Sequence, residues 1–325
     1  MVEFRRLHYS YARFAFLDAL QIVGVRAGDS VLMPAFICRD VLAPVHALGA
    51  HVEFYEVDRS LRPLLPKQPA SARAIVAVNY FGFPQDLGGL QRLANEIGAS
   101  LIEDNAHGYL SRDDDGIDLG RRTGLGFTSF RKTLRVVNGA FLDVDTRTFP
   151  RGAQLFESPT SMHPLPIGFR IRRIVGALQR VSSLPMLSVA RGAIRGARKA
   201  SGRPVIPQSN ESETVMPNDP SIHRSSLSAL RLLDAPRESE RRRTLYQTIA
   251  TRLQNARYTL VFAELPRNVV PWCVPFLAKA DDLSRARRVL RGLSVEIFRW
   301  PDLPHAVRER SPSFYSEIFV VSMMN

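Results

Sequence analysis

Short apolar runs alternate along the first half of the chain with segments whose apolar residues recur every three or four positions, the two periods that distinguish strand from helix. Residues 9–25 place Phe14, Leu17, Leu20 and Ile22 at helical spacing, and Gly28-Asp29 closes the segment. The run SVLMPAF then reads as a strand stopped by Pro34, residues 40–48 as a helix closed by Gly49, and HVEFYEVD as a second strand. Residues 73–83 read as a buried strand running into a turn at Gly82-Phe83-Pro84, and 87–97 as a helix ended by Gly98. A strand at 100–103 and a short apolar piece at 126–130 complete the series. Strand and helix alternating through short connections predict an α/β fold, a mainly parallel central sheet with helices on both faces.

Beyond the apolar stretch 141–144 the pattern changes. Residues 150–166 are turn-rich, and 167–199 read as a helical but basic segment, apolar on one side and arginine-lined on the other. A polar, proline-containing linker is expected over 201–217. Helices at 225–233 and 237–254, strand-like VVPWCVPFLA, a helix over DDLSRARRVLRGL and VEIFRWPDLP predict a small α+β lobe. The expected division is therefore a large domain over 1–217 and linking helices with a small C-terminal domain over 218–325.

The 325 residues, 45% of them hydrophobic, suit a globular protein of that organisation. The N-terminal stretch mixes charge with apolar residues, so no signal peptide is expected, nor does any window hold an uncharged membrane span. Cys38 and Cys273 lie far apart in apolar contexts and are expected as free thiols in the cytoplasm. The formal charge of +13 concentrates in 170–203 and 237–243. Without a helix-turn-helix, zinc finger or RNA-binding signature beside these arginines, nucleic acid is not the expected partner. A phosphorylated small molecule, or a peripheral membrane contact through 167–199, suits the charge. No metal-ligand spacing is present, and Asp113–Asp115 read as a solvated loop.

Two strand ends carry the candidate chemistry. Leu101-Ile102 breaks into Glu103-Asp104 and is followed by His107, while the piece ending at Ser129-Phe130 is followed by Arg131-Lys132. Ligands of open α/β sheets bind beyond the carboxyl ends of the strands. An acid and a lysine brought together there fit pyridoxal phosphate (PLP), which needs a lysine for its Schiff base and a carboxylate at its pyridine nitrogen.

Longer stretches carry a resemblance. GVRAGDSVLMPAFICRDVLAPVHALGAHVEFYEVD, AVNYFGFPQDLGGLQRLANEIGASLIEDNAHG and SFRKTLRVVNGA resemble successive segments of the DegT/DnrJ/EryC1/StrS sugar aminotransferases, which have the type I, aspartate-aminotransferase PLP fold. The likeness covers nearly the whole length and is strongest in the centre. It implies Asp104 as partner of the pyridine nitrogen, His107 beside the ring and its 3-hydroxyl, Ser129 at the phosphate and Lys132 as the Schiff-base lysine. It places the phosphate turn at Ala12-Arg13 and Cys38 near the usual position of an aromatic ring over the cofactor.

The implied function is a PLP-dependent aminotransferase acting on a keto sugar, nucleotide-linked, in polysaccharide or natural-product biosynthesis. Glutamate is the implied amino donor and a homodimer the implied assembly. Tyr11-Ala12 stands where Ser-Gly is usual, and Asn138-Gly139-Ala140 where an acid precedes two glycines. These departures motivate an alternative, a catalytically inactive PLP-fold protein serving as a binding or regulatory partner in such a pathway.

Overall fold

The computed structural model describes residues 3–65, 71–165, 169, 212–293 and 295–323. Its centre is a sheet formed by β1 (Phe4–Tyr9), β2 (Ser30–Pro34), β3 (His51–Val57), β4 (Pro63–Leu64), β5 (Ala74–Val78), β6 (Ser100–Asn105), β7 (Leu125–Thr128) and β8 (Ala140–Asp145). The spatial order is β1-β8-β7-β6-β5-β2-β3-β4. Neighbours from β3 through β2, β5 and β6 to β7 run parallel, while β1, β8 and β4 pair antiparallel with their neighbours. All five residues of β5 are buried, as an uninterrupted apolar run requires in a strand covered on both faces. The parallel strands consequently release their last residues along one edge of the sheet.

Helix α1 (Ala12–Ile22) lies against β7 and β8, with the Phe16 and Phe127 rings 4.9 Å apart. Helices α2 (Ala43–Ala47) and α3 (Gly88–Ile97) follow β2 and β5. Gly98 ends α3 at φ +69°, a left-handed turn that glycine adopts without steric cost. The helix Ala235–Asn255 leads into an antiparallel sheet ordered Thr259–Leu260, Cys273–Leu277, Ile318–Ser322, Ile297–Arg299. Its buried side chains, among them Val274, Phe276, Ile318 and Val320, belong to the same apolar cluster as the central sheet. Tyr315 fastens the two sheets, donating to Glu56 Oε2 at 2.6 Å and accepting from the Val57 amide at 3.1 Å.

The structure corrects the sequence reading in two places. The first helix begins at Ala12 rather than residue 9, because Phe4–Tyr9 form a strand against β8. The strand expected over 73–83 stops at Val78, and Tyr80–Gly82 turn back under it with Phe81 at φ +58° and Gly82 at φ +99°. The expected basic helix at 167–199 falls, apart from Phe169, outside the described residues, as does 201–211 of the expected linker. Among the described residues no helix is long and apolar enough to cross a membrane.

Candidate active site

Three consecutive polar residues end β6, and strand alternation sends them to different work. Asp104 pairs across the sheet with Val78 and Phe127 and so shares the face on which α1 packs. Glu103 and Asn105 point the other way. Glu103 is fully buried and holds Arg122 at 2.9 Å, accepts from Asn79 Nδ2 at 2.9 Å, and takes the Arg122 amide at 2.7 Å. Asn105 donates to the Leu119 carbonyl at 2.7 Å and to Thr128 Oγ1 at 3.1 Å. The outer pair thus braces the loop between β6 and β7, leaving Asp104 for the cavity above α1.

Asp104 Oδ1 accepts the Ala106 amide at 2.9 Å. Burial raises its pKa to about 6, against the opposing pull of the nearby Lys132 charge and the Ala106 hydrogen bond. Relative to an unfolded aspartate near 3.9, this group favours folding below both values and loses that contribution as pH rises through about 6, a change of about 3 kcal/mol. Asp104→Asn is therefore expected to stabilise the cofactor-free protein by up to about 3 kcal/mol at about pH 8 and to leave it nearly unchanged at about pH 4. Urea unfolding at the two pH values measures the difference.

The lysine segment is held by its glycine. Gly139, at φ +148°, lies so close to the Phe130 ring that an added Cβ would come within 2.3 Å of it. The Gly139 carbonyl accepts the Arg131 amide at 3.1 Å, and its own amide donates to the Ser10 carbonyl at 2.7 Å. The spacing from Lys132 to Gly139 therefore closes a loop that fixes the 3-10 turn Phe130–Lys132 at the end of β7. From that turn Lys132 Nζ reaches His107 Nε2 at 2.9 Å. Burial lowers the Lys132 pKa below the ordinary lysine value. Burial also pushes His107 well below the usual imidazole value, with the Lys132 charge adding to the shift.

Ala12, Arg13, Cys38, Asp104, His107, Ser129 and Lys132, all the residues singled out from the sequence, line one cavity of about 130 Å³. Ala106, Arg131 and Trp300 line it as well, and none of these three was singled out. Ala106 lies between Asp104 and His107 in the stretch LIEDNAHG that carries the resemblance. Arg131 was visible only as a neighbour of the lysine, and its guanidinium stands 5.2 Å over the Tyr11 ring. Trp300 comes from the C-terminal lobe and sets its ring edge-on to His107 at 4.9 Å, which no local pattern announces. Burial raises the Cys38 thiol above the usual value, so it contributes a neutral wall. Asn138, where the resemblance led one to look for an acid, braces another segment, accepting from the His223 amide at 3.0 Å and from Ser226 Oγ at 3.2 Å.

The donor set fits PLP. A carboxylate and an amine share the cavity, and Ser129 Oγ is buried there without a hydrogen-bond partner. Helix α1 starts beside it with no side-chain cap and no acid in its first turn, so its free amides and Arg13 favour a phosphate. The open volume is small beside the roughly 300–1,000 Å³ of ligand pockets. A cofactor held here by Asp104, Ser129 and Lys132 would need the wall side chains to give way. Among the described residues no group of three or more His, Cys, Asp and Glu is gathered as a metal site.

Residues 11–140 match the family model of the DegT/DnrJ/EryC1/StrS aminotransferase family. The resemblance read from the sequence is borne out, and with it an enzyme class, aminotransferase, and a cofactor, PLP. Solved structures agree in fold. An aminotransferase, TlmJ, from Streptoalloteichus hindustanus matches 98% of this chain over 80% of its own, with 18% identity and a TM-score of 0.64. A DegT DnrJ EryC1 StrS aminotransferase from Brucella abortus matches 99% over 81%, at 16% identity and a TM-score of 0.60. E coli GDP-4-keto-6-deoxy-D-mannose-3-dehydratase with bound hydrated PLP matches 92% over 74%, at 14% identity and 0.56. The type I PLP fold expected from the sequence is thus the fold observed.

Proposed function

We propose that this aminotransferase acts on a keto sugar carried by a nucleotide, with Lys132 as the lysine that binds PLP covalently. One observation carries the assignment of the site. Asp104 and Lys132 come from the ends of two different strands and meet in one cavity, with the unpartnered Ser129 hydroxyl at the uncapped start of α1. Bound PLP supplies an electron sink for the pair released when a substrate C–H bond breaks.

The chain's residues do the rest. Asp104, as the carboxylate, would keep a pyridine nitrogen protonated, and ionisation near pH 6 in the cofactor-free protein leaves it charged at neutral pH. Ser129 Oγ, the α1 amides and Arg13 would hold the phosphate. His107 would stand beside the ring and its 3-hydroxyl. Lys132 Nζ, its pKa lowered by burial, can accept a proton from the substrate carbon and return it. A nucleotide diphosphate suits the net charge of +13, and the E coli dehydratase named above acts on a GDP-linked sugar. Glutamate as amino donor, a homodimer and a place in polysaccharide or natural-product biosynthesis complete the proposal.

The small cavity and the Tyr11-Ala12 turn favour one other reading, a PLP-fold binding partner that does not turn over. Thermal-shift titration separates the two, since a ligand bound only by the native state raises the midpoint by mass action. PLP is expected to raise the melting midpoint and to bring up a visible absorption band that Lys132→Ala lacks. Stabilisation by a nucleotide sugar with no response to PLP would establish the second reading instead.

A further inference from the structure

The Phe81 and Trp300 rings lie 5.7 and 4.9 Å from the His107 imidazole, and three closer contacts fix it. The Phe81 amide points at Nδ1 from 3.3 Å, Lys132 Nζ lies 2.9 Å from Nε2, and the Trp272 ring stacks at 4.3 Å with planes 13° apart. A backbone amide only donates, so Nδ1 must present a lone pair to it. In the neutral ring the proton then sits on Nε2. An Nε2–H needs an acceptor, which an ammonium is not and a neutral amine is.

We propose that the Phe81 amide and the Trp272 ring together fix His107 as its Nε2–H tautomer, so that Lys132 stands as a free amine ready for an aldehyde. Phe81 and Trp272 are positioning residues that act through His107. The geometry is independent of what Lys132 does; only its use, capture of the cofactor, rests on the function proposed above.

The turn that aims the Phe81 amide is over-determined. Phe81 adopts a left-handed φ of +58°, sparsely populated by residues with a side chain, and its carbonyl accepts the Trp272 amide at 2.8 Å. Gly82 follows at φ +99°, where an added Cβ would lie 2.8 Å from the Val270 carbonyl oxygen. Residues just before the strand Cys273–Leu277 of the C-terminal lobe thus hold both the turn and the ring.

The charged and titratable groups around Lys132 act in both directions. Asp104 from β6 and Asp40 beyond β2 favour an ammonium, as does the Trp272 face 5.3 Å from Nζ. Arg131 in its own turn disfavours it, as does burial, and the buried Cys38 thiol stays protonated. The Phe81 amide decides, because an ammonium donating to Nε2 would force an Nδ1–H against a second N–H.

Nitrogen-15 spectra of histidine-labelled, cofactor-free protein test this directly. His107 is expected to show a protonated Nε2 and an unprotonated Nδ1 near neutral pH. Competitive acetylation across pH, read on the Lys132 peptide by mass spectrometry, reports the amine. Trp272→Leu is expected to mix the tautomers, with the Nε2 and Nδ1 resonances both moving toward averaged values. Trp272→Phe, which keeps a stacking ring, is expected to restore both signals. A protonated Nδ1 in the wild-type protein would overturn the proposal even if Trp272→Leu fails to fold. So would a single Nε2–H tautomer retained in a folded Trp272→Leu protein. PLP capture bears on Lys132 separately: the tautomer can be as stated while no PLP is bound, and the reverse.

Discussion

Lys132→Ala protein is expected to capture no PLP and to lose transamination by more than about 10⁴-fold in kcat, because one change removes both the covalent anchor and the proton-transferring group. Lys132→Arg should be equally inactive. Its guanidinium keeps the charge but stays protonated and cannot attack an aldehyde. Neither loss is expected to come from unfolding. The burial that lowers the Lys132 pKa makes a protonated lysine unfavourable in the fold at neutral pH, and that cost fades as pH rises past the ordinary lysine value. Lys132→Ala should therefore melt at or above the wild-type temperature at neutral pH. Single-turnover kinetics with excess PLP, alongside a melting curve, separate the two effects; a variant that keeps turnover within about tenfold of wild type would remove Lys132 from the chemistry.

Arg122→Met should be the most damaging single change away from the cavity. It strands Glu103, which is fully buried, 2.9 Å from Arg122 and bound to the amides of Arg122 and Thr123. Removing one partner of a buried pair costs about 3–5 kcal/mol, because the other charge stays uncompensated in the interior. Arg122 also donates to Asn79 Oδ1 at 2.7 Å and to the Gln85 carbonyl at 3.0 Å, so the turns after β5 and β6 loosen together. Pairing the change with Glu103→Gln should recover most of the loss, since no buried charge then remains. Equilibrium denaturation of the two singles and the double measures this coupling; a single-variant loss below about 1 kcal/mol would show the charge finding water or another partner.

The parallel strands could be read from the sequence because their burial on both faces leaves a physical trace, as in AIVAV of β5. Glycines fixed the element ends for the same kind of reason, Gly98 by its left-handed φ. Asp104 and Lys132 were legible because an acid or a lysine directly after a buried apolar run is chemically conspicuous. β1 was not. Its sequence FRRLHY carries Arg6 on a face where Asp143 of β8 pairs with it at 2.7 Å and the Phe141 ring lies 3.7 Å away, so a partnered cation reads as a surface one. Trp272, Trp300 and the Phe81 turn were illegible for a different reason. Trp272 and Trp300 reach the Phe81 turn across more than 150 positions of sequence, and no local period encodes such contacts. Cys38 and Ala12 line the same cavity as Trp300 and Ser129, and their small side chains carry no pattern of their own.

The sequence contains four lysines, Lys67, Lys132, Lys199 and Lys279, which makes one measurement decisive. Protein incubated with PLP, reduced with borohydride and digested is expected to carry a single phosphopyridoxyl group, on the peptide holding Lys132. The same group found on Lys67, Lys199 or Lys279 instead, or on none of the four, would contradict the assignment of this cavity as the cofactor site.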